Sequence, residues 1–157
     1  MTTIQWLTIK QLDQQLKEWR MLSNHSQRPK VGWVKTLRTA LNMSVMQIAK
    51  NLGVKRGRIT QLENAEATGG VTVRALKEAA NAMDCEFVYA IVPKNFSTLE
   101  EMIKARAKQV ATERVASVAH SMALEAQSVD QKYLKLQCDE LTKNLIENFN
   151  KSLWDKK

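Results

Sequence analysis

The stretch SVMQIAKNLGVKRGRITQLE, Ser44 to Glu63, leaves little freedom in how it folds. Ser44 and Gln47 have the S-x-x-Q spacing of a capping box, in which serine caps the first turn and glutamine reaches back to it. A helix therefore opens there. Gly53 follows it at a place that wants positive φ, the usual role of a glycine after a helix C-terminus. A second helical pattern begins after a turn of about three residues. Ile59 and Leu62 share its inner face, with Ile48 and Leu52 of the preceding helix available to meet them. Ala49 is small where two helices cross closely. Gly57 stands inside the second pattern, between Arg56 and Arg58, although glycine in a helix costs roughly 0.8–1 kcal/mol relative to alanine.

Two helices joined by a tight glycine turn form the helix-turn-helix arrangement, whose second helix enters the major groove of DNA. With Ile59 and Leu62 inside, the opposite surface shows Arg56, Gly57, Thr60 and Gln61. Arginine bonds a guanine edge bidentately, and glutamine does the same for adenine. Arg56 and Gln61 are thus the base-reading candidates, with Gly57 and Thr60 on the same surface. Gly57, lacking a side chain, would let the helix backbone approach the bases and leave Arg56 room to reach a guanine. Lys55 and Arg58 at the flanks, with Lys50, are candidates for phosphate contacts; the alternative is that they are ordinary solvated helix cations.

Charge placement agrees with a polyanionic partner. The net charge is +8, and residues 1–96 hold 14 Lys/Arg against 7 Asp/Glu, whereas residues 97–157 hold 10 against 9. From Trp19 through Leu62 there are nine Lys/Arg and no acid. Such a field steers association with nucleic acid, although charge alone does not choose among DNA, RNA and an acidic protein.

With 2 prolines and 5 glycines, the chain is expected to be mainly α. Thr8 and Gln11 have capping-box spacing ahead of an amphipathic stripe of Ile9, Leu12, Leu16, Trp19 and Leu22. CEFVYAIVP, Cys85 to Pro93, is β-branched, aromatic and closed by proline, and predicts a strand over about 85–92. An isolated strand leaves its backbone groups unpaired. Its Phe87, Val88, Tyr89 and Ile91 are therefore expected to pair across the two-fold axis of a homodimer; the alternatives are a segment read as loop, or another protein. Two long helical patterns follow Ser97, with a break near AQSVD. Ala111, Val115, Val118, Met122 and Ala126 mark one stripe. Leu134, Cys138, Leu141, Leu145, Phe149 and Leu153 mark the next. The expected divisions are an N-terminal helix at 1–27, a DNA-binding domain with its dimerisation strand at 28–95, and a helical extension for dimer or partner contacts at 96–157.

The segment LRTALNMSVMQIAKNLGVKRGRITQLENAE resembles the Xre (Cro/repressor-type) helix-turn-helix family. That resemblance implies a five-helix domain, a structural ion pair between Arg38 and Glu63, and a phosphate contact from Asn64. One departure is Val45, where the family often has a phosphate-binding glutamine. RPKVGWVKTLRTALNMS and LENAEATGGVTVRALKEAANAMDCEFVYAIVP, in that order, extend the likeness to the family named mobile mystery protein A, over roughly residues 25–95. Members are typically found beside a Fic-domain protein, mobile mystery protein B. The implied role is an antitoxin that represses its own operon and neutralises a Fic-domain toxin, an enzyme that usually transfers AMP to a target protein. In SMALEA, Ser121 and Glu125 match part of the [S/T]-x-x-x-E-[G/N] pattern of Fic inhibition, which here ends in alanine.

No catalytic residue is expected. His25 and His120 lack partners at metal-site or triad spacing, Cys85 and Cys138 have no neighbouring base, and no glycine loop cradles phosphate. No cofactor, metal or membrane partner is expected, and the reading is of a cytoplasmic protein. The partners expected are double-stranded DNA at a palindromic operator, a Fic-domain toxin and a second copy of the chain. Other classes stay open: a stand-alone regulator whose tail dimerises or senses, and a module that binds RNA or an acidic protein.

Overall fold

The computed structural model describes residues 3–25, 27–124, 130–148 and 151–155. Among them lie seven α-helices: α1 (Thr3–His25), α2 (Trp33–Ala40), α3 (Val45–Leu52), α4 (Arg56–Thr68), α5 (Val73–Ala82), α6 (Leu99–Leu124) and α7 (Gln131–Glu147). A 3-10 turn, Lys151–Trp154, follows. No helix among the described residues is long and apolar enough to cross a membrane. The chain divides into two compact units, one comprising Ser23–Ala90 and the other Met1–Leu22 with Ile91–Lys157.

The Ser23–Ala90 unit packs α2 to α5 around Val34, Ile48, Ala49, Ile59, Leu62, Ala79 and Met83. Its helix ends follow local rules. The Ser44–Gln47 capping box is complete, with Gln47 N donating to Ser44 Oγ at 3.2 Å and Ser44 N to Gln47 Oε1 at 2.7 Å. Gly53 has φ 65°, and Val54 N donates back to Ala49 O at 2.9 Å. Thr72 accepts from Ala75 N to open α5. Ala49 is 1% exposed, so its methyl sets the approach of α3 to its neighbours.

The N-terminus of α2 is built differently. Gly32 stands at its N-cap with φ 86° and ψ 162°, a region open to glycine almost alone. It supplies no side-chain acceptor. Glu66, from the last turn of α4, takes that role: its carboxylate accepts from Trp33 N at 2.7 Å and Val34 N at 3.0 Å. Glu66 is 3% exposed, a buried carboxylate held by charge-assisted hydrogen bonds at the positive end of a helix. Arg28 donates in turn to the carbonyls of Glu66 and Ala67 at the C-terminal end of α4. Each helix end is thereby capped by a side chain from outside the helix.

Two expectations for this unit are corrected. It contains four helices between Trp33 and Ala82 rather than five. Residues 85–92 form no strand among the described residues. The segment runs without regular hydrogen bonding because a strand needs a second backbone beside it, and none of the described residues pairs with it as a ladder. Phe87 and Tyr89 still stack on one side, with ring centroids 5.7 Å apart. Val88, Tyr89 and Ile91 are 60%, 66% and 86% exposed.

In the other unit, α6 and α7 pair as a hairpin. A core of Ile103, Ala107, Val110 and Leu153 is joined by the partly buried Ile9, Leu145 and Ile146. Thr8 does not open a helix, which corrects the expected capping box. It lies inside α1 and donates to Ile4 O at 3.0 Å, the back-bonding open to a mid-helix threonine. Asp13, next to Leu12 of the predicted stripe, accepts from Leu99 N at 2.7 Å and Glu100 N at 3.2 Å, capping α6. The expected break near AQSVD includes residues 125–129, which lie outside the described residues, as does Phe149.

Replacing Glu66 by alanine would leave the part-buried Trp33 N–H and the buried Val34 N–H without their acceptor and is expected to cost about 2–3 kcal/mol. A Cβ at position 32 would fall 2.6 Å from the Glu66 carboxylate. Gly32→Ala is therefore expected to destabilise by about 1–3 kcal/mol. Urea denaturation of each variant measures both effects, and little change in either would refute the capping role.

Candidate nucleic-acid interface

The second helix of the motif, α4, is divided lengthwise. Ile59, Leu62, Glu63 and Glu66 are buried on one side, while Arg56, Gly57, Arg58, Thr60, Gln61 and Asn64 are exposed. At about 100° per residue, Gly57, Gln61 and Asn64 form the line opposite the buried ridge. Arg56 and Thr60 fall on one flank and Arg58 on the other. Gln61 and Arg58 also line a cleft of about 260 Å³ with Gly70, Val71 and Thr72. Asn64 thus shares the central line with Gly57 and Gln61.

The inner side of α4 holds it in place. Arg38 of α2 meets Glu63 in a two-point ion pair, Nε to Oε1 at 2.6 Å and Nη2 to Oε2 at 3.3 Å. Its remaining nitrogen, Nη1, donates to Met43 O at 3.1 Å, joining the turn before α3 to the same group. The hydrogen bond to Glu63 raises the Arg38 pKa above its ordinary value; burial opposes this, and the Coulomb attraction of the same carboxylate adds to it. Arg38 and Glu63 are thereby engaged inside the fold and turned away from the exposed side of α4. Val45 packs against the core, so the residue that departs from the family pattern faces inward.

The outer side has the opposite character. Lys50, Lys55, Arg56 and Arg58 are exposed, and none has an ion-pair partner among the described residues. Lys55 is the N-cap of α4 and offers no acceptor, in contrast to Ser44 and Thr72 at α3 and α5. The first N–H groups of α4 therefore add their partial positive charge to the cationic cluster, a setting that favours phosphate. Gly57 has no neighbour within 4 Å of an added Cβ and no positive φ. Nothing among the described residues requires glycine there.

Elsewhere, Ser121 is exposed and donates to Ser117 O at 3.2 Å, while Glu125 lies outside the described residues. The described residues contain no cluster of three or more His, Cys, Asp or Glu able to hold a metal. Sequence reasoning missed Arg28 and Glu66. The available signal was Gly32, which opens a helix without supplying a capping side chain.

Removing either partner of the Arg38–Glu63 pair is expected to cost about 3 kcal/mol, whereas R38M/E63L should recover most of it. A denaturation cycle over the four proteins tests this, and additive losses would show that the pair is not coupled. No curated protein and no solved structure matches the chain. Residues 34–89 match the helix-turn-helix family model, and the chain therefore carries an Xre-type helix-turn-helix DNA-binding domain.

Proposed function

We propose that the protein is a repressor that binds a palindromic operator in its own operon as a homodimer, and that it is the antitoxin of a Fic-domain toxin. The observation that carries DNA reading is the outer side of α4. Lys50, Lys55, Arg56 and Arg58, exposed and without ion-pair partners among the described residues, accompany a side-chain-free Gly57 and the adenine-competent Gln61 within the matched domain. Arg56 and Gln61 read base edges, with Thr60 beside them; Lys50, Lys55, Arg58 and Asn64 hold phosphates. Two copies joined through Phe87, Val88, Tyr89 and Ile91 would present two such helices to two half-sites, as operator symmetry requires. The exposure of Val88, Tyr89 and Ile91 supports that pairing. The Fic partner rests on the resemblance of residues 25–95 to mobile mystery protein A.

Footprinting on the DNA upstream of the gene tests the reading. Arg56→Ala is expected to cost about 1–3 kcal/mol and to relax specificity at one base pair. Lys55→Ala should weaken all sequences alike and lower the salt slope by about 1. Retention of full sequence preference by Arg56→Ala would remove the base-reading assignment. Gly57→Ala should stabilise the free protein by up to about 1 kcal/mol while weakening operator binding. Unchanged or tighter binding would make this glycine only a tolerated weakness. Co-purification with the adjacent gene product tests the antitoxin role; if that gene encodes no Fic domain, a stand-alone regulator remains.

A further inference from the structure

The α6–α7 hairpin is covered along only part of its length. Near the start of α6, Ile103, Ala107, Val110 and Ala111 are buried, with Ile9 and Leu153 in the same cluster. At 3.6 residues per turn, that stripe continues along α6 through Arg114 and Val118. Among the described residues the cover ends there: Val118 is 55% exposed, and Tyr133 on α7 is 54% exposed. No described residue of α7 is buried. The uncovered length is a groove of about 410 Å³ whose lining includes Val115, Val118, Leu141, Arg114 and Glu140. Two helices alone do not enclose an apolar seam, whereas four packed antiparallel do.

The charges of the groove indicate what would complete it. Its charged lining residues are one of each sign, Arg114 on α6 and Glu140 on α7, and neither has an ion-pair partner among the described residues. Such a surface is its own complement. Across a two-fold axis each contact occurs twice, so both charges would be matched by a second copy. The approach of Thr112 Oγ1 to Cys138 Sγ, at 3.4 Å, sets the register of the hairpin. Arg114 lies just beyond that level on α6, and Glu140 just below it on the antiparallel α7. A two-fold axis parallel to the helices would lay α6 over the neighbouring α7. Arg114 and the partner subunit's Glu140 would then be offset by about 6 Å along the axis, within reach of an arginine. Residues 97–157, with 10 Lys/Arg against 9 Asp/Glu, do not oppose this approach.

We propose that this groove is a self-association surface on which two copies form a four-helix bundle with reciprocal Arg114–Glu140 pairs. It uses none of residues 85–92 and does not depend on DNA binding. The test is sedimentation equilibrium of the full chain carrying Tyr89→Pro, which removes a backbone donor from the extended segment. This protein should still self-associate. Adding R114E or E140R should weaken association by about tenfold or more, because each reversal sets like charges together twice. R114E/E140R should return it to within about threefold. Arg114 and Glu140 are exposed, so the fold should survive the changes, with circular dichroism as the check. A monomeric Tyr89→Pro chain, indifference to the single reversals, or failure of the double variant to recover would each overturn the proposal. So would reversals that reduce capture of the adjacent gene product by a monomeric chain, since the groove would then face that partner. Loss of operator binding by Tyr89→Pro, with association still governed by positions 114 and 140, would bear only on the dimer segment.

Discussion

Two carboxylates on the inner side of α4, Glu63 and Glu66, determine where the exposed side of that helix points. Glu63 takes both ends of an arginine fork from α2, and Glu66 takes the first two N–H groups of the same helix. Three residues apart, they lie on one face of α4 and make contacts whose geometry is directional. Apolar packing through Ile59 and Leu62 would tolerate some rotation of α4 about its axis. Two charge-assisted anchors do not, because a turn of the helix would leave buried charges without partners. Gly32 follows from this arrangement: its missing Cβ makes the space that the Glu66 carboxylate occupies.

The same anchors shape the electrostatics of the outer face. Glu63 and Glu66 are the first acids after the cationic window that runs from Trp19 to Leu62. Both are turned inward and engaged with Arg38 and the start of α2. The exposed cations of α3 and α4 therefore have no carboxylate of their own helices on the same face. Lys55, a poor N-cap in terms of helix stability alone, leaves the positive end of α4 uncovered. Gly57 belongs to the same pattern, since no described residue gives a reason for it.

In the unit built from α1, α6 and α7, polar caps again tie distant segments together. Asp13 holds the start of α6, and Arg106 donates to the carbonyls of Leu153 and Asp155 near the C-terminus, each at 2.8 Å. Apolar periodicity placed the helices but not the depth of their faces. Leu12 and Leu22 belong to the amphipathic stripe of α1 yet are 41% and 57% exposed, while the Asp13 carboxylate turns inward to cap α6.

The sequence by itself determined the motif and its punctuation. Ser44, Gln47 and Gly53 act through neighbours within five residues, and the inward side of α4 follows from helical period alone, so both were legible before any coordinates. Only the tertiary structure decided that Glu66 caps α2 and that Arg28 caps α4, because these bonds join residues more than thirty positions apart. It also decided the state of residues 85–92, whose composition asks for a strand while no described residue pairs with them as a ladder. Propensity is local, whereas a ladder or a borrowed cap needs a second segment brought alongside.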